Sequence, residues 1–236
     1  KKIDEETPSS TELPMLSQNI SLIASGAYSQ IFDKFLEFVG IKTLIITDLD
    51  SGKETQIVDK NGHSRTVTVA HPVDGGTLTT NDALLHYYKT PLSKYSGGNH
   101  LDFFTNLSKE NKILRNNAGC WESDPNGTLM IVFQTKEKDD YYPRSFEDAF
   151  IQINRDFMIA HQDTFESLKN RDRFDEKDAS GKYMHDAYDL ATTCVKNKSS
   201  FALDILLNSE ANETCTFSNW KIPPYIEEGL LWLRKN

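Results

Sequence analysis

Apolar positions along this chain follow two rhythms. Ile41 to Thr47 and Thr128 to Gln134 are near-continuous apolar, β-branched runs. Such runs fit parallel strands buried on both faces. Other stretches repeat at helical spacing. Over Tyr28–Val39 the residues Ile31, Phe32, Phe35, Leu36 and Val39 share one face, opposite Asp33, Lys34 and Glu37, and Gly40 ends the pattern. Asn81 to Tyr88 reads as a short helix capped by Thr80 or Asn81. Ser145 opens a helix running to about Ala160, with Asp148 completing a capping-box variant. Helices near His185–Lys196 and Ser199–Leu207 follow. Pro224 occupies the first turn of a last amphipathic helix, Tyr225–Arg234.

Ile20 to Ala24 reads as a strand. With the next helix and Ile41–Thr47 it forms a βαβ unit, whose crossover is right-handed. The expected fold class is α/β: a mostly parallel, Rossmann-like sheet flanked by helices, with insertions and a helical C-terminal part. Residues 1–18 are polar, carry Pro8 and Pro14, and read as a linker to a domain over 19–236. Residues 51–127 form the insertion, in which Arg65–Ala70 alternates weakly and 91–128 is irregular and partly helical. Helices dominate from about 161, and Gln162–Gly181 is charged enough to be a solvated helix or loop.

The composition narrows the function. The chain has 236 residues, 38% of them apolar and 11% aromatic, so a core is available and global disorder is excluded. A net charge of −9 argues against a broad basic nucleic-acid footprint, although a metal ion would bring its own positive charge. No apolar run approaches a membrane span, and Lys1–Ser10 is not a signal peptide. The absence of an initiator Met suggests a fragment or processed product. Cys120, Cys194 and Cys215 fit neither a zinc site nor a disulfide framework, so the cytoplasm is the expected location.

The chemistry concentrates after the first apolar run, in Asp48-Leu49-Asp50. Side chains two apart on an extended chain point the same way, and ligand crevices of α/β sheets lie at the carboxyl ends of strands. Two carboxylates there can hold Mg²⁺ or Mn²⁺. Asp-x-Asp-Ser-Gly is also good turn chemistry, so both readings stay open. Glu147 stands at the start of a helix, where it favours the helix dipole or faces the same crevice. Lys198, just before a helix, is a solvated lysine or a cation for a phosphate. Ser51-Gly52-Lys53-Glu54-Thr55 is no Walker A, because Thr47 replaces the first Gly and no helix follows. The six histidines show no i, i+4 pairing.

Taken in order, five pieces resemble the C-terminal topoisomerase-primase (Toprim) domain of the OLD (overcoming lysogenization defect) nucleases, which pair an ABC-type ATPase with a Toprim nuclease. They are Gly26-Ala27-Tyr28, Gly40 to Asp50, Arg144-Ser145-Phe146-Glu147-Asp148-Ala149-Phe150, Lys198-Ser199-Ser200-Phe201-Ala202, and Trp220 to Leu230. The resemblance implies a DNA endonuclease of antiphage defence. It puts metal carboxylates on Asp48 and Asp50, the family's Ser-x-Glu on Ser145 and Glu147, and the catalytic lysine on Lys198. It further implies Mg²⁺ or Mn²⁺, an ATPase upstream or in a partner chain, and room for a homo-oligomer. One departure stands out: the family's first acidic motif, a Glu-Gly turn after a strand, has no counterpart here.

Two rival readings remain. A haloacid-dehalogenase-type phosphatase also carries Asp-x-Asp after a strand, with Asp48 as nucleophile and Asp139-Asp140 as later acidic ligands. A non-catalytic scaffold of a larger assembly would account for the missing carboxylate.

Overall fold

A computed structural model describes residues 1–60, 62–137 and 140–235. The chain divides into two compact units. One is Leu22–Arg144, and the other joins Lys1–Ser21 to Ser145–Asn236.

The Leu22–Arg144 unit is built on a mixed sheet with helices packed on it. Strand β1 (Thr43–Ile46) pairs in parallel with β7 (Leu129–Val132), Thr43 facing Leu129 and Ile46 facing Val132. β5 (Ile113–Asn117) runs antiparallel to β7 and to β6 (Cys120–Ser123), giving the order β1-β7-β5-β6. β5 and β6 lie within the span read as an insertion, yet they belong to the same sheet as β1 and β7. Gly127 lies against the Leu114 backbone, so a side chain there would push β5 away from the start of β7.

β7, central in the sheet, is buried at every position, as its apolar run requires. β1 stands at the sheet's end, so its run is not buried on both faces: Ile41 and Ile46 are exposed. A second sheet, β3-β2-β4, is antiparallel. It comprises β2 (Ser51–Val58), β3 (Ser64–Ala70) and β4 (Leu78–Thr79). The Ser51–Thr55 stretch is therefore strand. The core gathers Ile45 of β1, Leu49 beyond it, Ile131 of β7, Leu84 of α3 (Asp82–Tyr87), Tyr88 just after α3 and Phe104 of α5 (His100–Thr105), with Leu92 of α4 (Lys89–Ser93) packed beside them.

The βαβ reading is corrected. Ile20–Ala24 forms no strand, and Leu22 is 94% exposed: no neighbouring strand satisfies its backbone. The helix after it is a 3-10 segment, Gly26–Phe32, followed by α2 (Asp33–Val39). Most of its apolar face is turned outward, with Ile31, Phe35 and Val39 exposed, while Leu36 packs on the core. Asp33 ties α2 down by accepting from Trp121 Nε1 at 2.6 Å and meeting His86 Nε2 at 3.0 Å. Gly40 closes α2 in the left-handed conformation, φ 63°.

The other unit is helical. Residues 1–18, read as a linker, hold α1 (Lys2–Glu6), with Ile3 buried. The helix expected from Ser145 to Ala160 breaks at Asn154 into α6 (Phe146–Ile153) and α7 (Arg155–His161). The Asn154 side chain bonds both backbone groups of Lys221, accepting from N at 2.6 Å and donating to O at 2.9 Å. α8 (Ala187–Cys194), α9 (Lys198–Leu207) and α10 (Pro224–Arg234) match the apolar rhythm. The 162–181 stretch is not simply solvated. It buries Phe165, Leu168 and Phe174 among its charges, and Phe165 meets Phe157 and Phe201 with ring centroids 5.9 and 5.8 Å apart. The three cysteines are free.

Candidate functional site

The carboxyl ends of β1 and β7 lie side by side, and the chain leaves β1 through Asp48-Leu49-Asp50. Leu49 is fully buried and anchors the turn, while Asp48 and Asp50 on either side stay half-buried. The turn is pinned by polar groups from three elements. Asn81, the N-cap of α3, accepts from Leu84 N and donates to Asp48 O at 2.8 Å and to Thr47 Oγ1 at 2.7 Å. Thr79 of β4 donates its hydroxyl to Leu49 O at 2.6 Å. Gln134, two residues past β7, accepts from Leu49 N at 2.6 Å and donates to Asp48 Oδ1 at 2.6 Å.

Asp50 takes the left-handed conformation, φ 49°, which few non-glycine residues adopt and aspartate tolerates better than most. Hydrogen bonds hold it there. Its N–H donates to Arg144 O at 3.2 Å, and its carbonyl accepts from Thr80 N at 3.0 Å. Arg144 closes over the same residue, its Nη2 3.3 Å from Asp50 Oδ1 and its Nε donating to Ser51 O at 2.8 Å. Asp48-Leu49-Asp50 is thus a pinned connection between β1 and β2 that carries two half-buried carboxylates.

Ser145, Glu147 and Lys198 belong to the other unit. Ser145 sits at the N-cap position of α6 but makes no side-chain capping bond, so the expected capping box is not formed. Glu147, in the first turn of α6, is 4% exposed, and its Oε2 lies 2.9 Å from Lys198 Nζ at the start of α9. The structure thus joins Glu147 to Lys198, and Asp48 and Asp50 to Gln134 and Arg144. Of the residues offered for a phosphatase, Asp139 lies outside the described residues. Asp140 is 89% exposed and pairs with Lys136 at 2.9 Å.

Two half-buried carboxylates are hard oxygen donors suited to Mg²⁺ or Mn²⁺. Within either unit, no three His, Cys, Asp or Glu side chains come together to hold a metal among the described residues, so Asp48 and Asp50 are a partial set. Sequence reasoning missed Gln134, Asn81 and the pairing of Arg144. The available signal was a polar residue, Gln134, closing an otherwise apolar run.

No family description matches the chain, and no solved structure matches it. The chain is 25% identical over 213 residues to the protein named Endonuclease GajA of Bacillus cereus (strain HuB5-5), an alignment covering 89% of this chain. It spans about a quarter, 26%, of that relative's length.

Proposed function

We propose that this chain is the nuclease part of a divalent-metal-dependent DNA endonuclease of the OLD type, acting in antiphage defence beside an ATPase. The observation that carries the reading is the Asp48-Leu49-Asp50 turn at the ends of a parallel strand pair, in a chain similar over most of its length to an endonuclease. In this reading Asp48 and Asp50 would hold Mg²⁺ or Mn²⁺. When bound, the ion supplies Lewis acidity toward a phosphodiester oxygen. Arg144 sets a fixed positive charge against Asp50. Lys198, 62% exposed at its side chain, can reach outward to offset phosphate charge while its partner Glu147 stays buried. Ser145, whose hydroxyl does not cap α6, orients Glu147. With a net charge of −9, DNA binding leans on the divalent ion rather than on a basic surface.

The test is cleavage of supercoiled plasmid with Mg²⁺ or Mn²⁺. It compares this chain, a version extended upstream through a Glu-Gly motif, and Asp48→Asn in each. The expected result is metal-dependent cleavage, stronger in the extended protein and lost in Asp48→Asn. Cleavage that persists in chelator, or in Asp48→Asn at the wild-type rate, overturns the reading.

A further inference from the structure

We propose that Gln134 is the positioning residue that holds the Asp48 carboxylate ready for a divalent ion. The inference rests on the metal-dependent reading above and deepens it.

The argument starts with the direction of the amide. Leu49 N–H can only donate, so the group 2.6 Å away must be the Gln134 oxygen. With the oxygen so placed, the amide nitrogen donates one of its hydrogens to Asp48 Oδ1, also at 2.6 Å. A donor aimed at that oxygen suits an acceptor, the ionised carboxylate that a metal ligand must be. One amide thereby fixes two things at once: the backbone at Leu49 and the carboxylate next to it. Both ends of the brace are anchored, since Gln134 and Leu49 are fully buried. An aspartate side chain left to itself samples several rotamers. This one is tied to a fully buried residue just past the neighbouring strand, an arrangement that orients a ligand before any ion arrives.

A plainer role competes: Gln134 could serve only to satisfy a buried backbone N–H. The two roles part at the metal. A residue that merely completes the turn leaves metal affinity unchanged once the protein is folded. A residue that orients Asp48 does not.

The experiment titrates Mn²⁺ into wild-type chain, Gln134→Met and Gln134→Glu, reading the dissociation constant by calorimetry and the fold by circular dichroism. Gln134→Met keeps the volume and removes both bonds. Gln134→Glu keeps the acceptor for Leu49 N–H and sets an anionic oxygen against Asp48 in place of the donor, and circular dichroism shows whether this buried charge is tolerated. The expected result is a dissociation constant raised about tenfold in both folded variants, the usual scale for loss of an outer partner of a metal ligand. Should Gln134→Met fail to fold, Gln134→Glu decides alone. Wild-type affinity in a folded variant overturns the role of Gln134 and leaves the metal reading standing. No Mn²⁺ binding by the wild-type chain overturns the metal reading, and this inference with it.

Discussion

The two units hold their candidate carboxylates by different means. In Leu22–Arg144, Asp48 and Asp50 sit on a connection held by amides, hydroxyls and backbone groups, and Arg144 Nη2 lies 3.3 Å from Asp50 Oδ1. In the other unit, Glu147 is nearly buried on a helix and is met by a lysine ammonium at 2.9 Å. The Gln134 amide fixes the Asp48 carboxylate, while Asp50 is paired with the Arg144 guanidinium. A charge pair neutralises the carboxylate in place, and removing either partner strands the other. In the proposed reading Asp48 and Asp50 would hold the cation, whereas Glu147 and Lys198 are joined as a charge pair, with the lysine largely exposed.

The largest effect expected from this comparison is on cleavage. Asp48→Asn and Asp50→Asn keep the shape of the turn and remove a ligand charge. Each should lower plasmid cleavage about a hundredfold or more, since metal-based charge stabilisation is worth several kcal/mol. Circular dichroism should stay at wild type. Cleavage within twofold of wild type in either variant would remove that residue from the site.

The charge pair should respond in stability. Lys198→Ala leaves the Glu147 carboxylate without its cation and should cost about 1–2 kcal/mol in urea unfolding, a figure kept low because the lysine is largely exposed. Adding Glu147→Gln should recover most of that loss. A double variant no more stable than Lys198→Ala would show that the two side chains do not act together.

What the sequence made legible follows the same division. β1, β7 and the five helical spans from Asn81 onward stood out because their apolar positions are dense and regular. β2 escaped notice because four consecutive residues, Lys53 to Gln56, are exposed on a thin antiparallel sheet and show no alternation. β5 ends in Arg115-Asn116-Asn117, and only its first two residues are buried. The Asp-x-Asp turn was visible as a motif. Its clasp was not, because Gln134 and Leu49 are 85 positions apart and a neutral amide carries no local signature. The Glu147–Lys198 pairing likewise joins two helix starts that only tertiary structure relates. The 162–181 stretch misled because its few aromatic residues do the burying among many charges.

A smaller effect concerns the backbone at Asp50. A left-handed residue costs alanine roughly 1–2 kcal/mol, while glycine pays no steric cost and asparagine tolerates the conformation. Asp50→Ala should therefore be about 1 kcal/mol less stable than Asp50→Gly or Asp50→Asn in urea unfolding, although all three lose the ion pair with Arg144. Equal stability across the three would mean that the turn relaxes out of that conformation when the carboxylate goes.

The smallest effect is expected at Ser145, and it separates structure from chemistry most cleanly. Two helix starts in the same unit can be compared. Asn197 caps α9 with its side chain, accepting from Ser200 N at 3.0 Å. Ser145 holds the N-cap position of α6 with an extended backbone, φ −141°, yet bonds no helix N–H through its hydroxyl. Removing a working cap costs about 1 kcal/mol, so Asn197→Ala should fall in that range. Ser145→Ala takes away a hydroxyl that does not cap and keeps nearly the same volume, so its cost should stay under about 0.5 kcal/mol. If the hydroxyl instead orients Glu147, as proposed, plasmid cleavage should drop in Ser145→Ala while Asn197→Ala cleaves normally at temperatures where it is folded. A full 1 kcal/mol loss in Ser145→Ala, with cleavage per folded molecule unchanged, would assign the hydroxyl to the fold and leave Glu147 oriented by Lys198 alone.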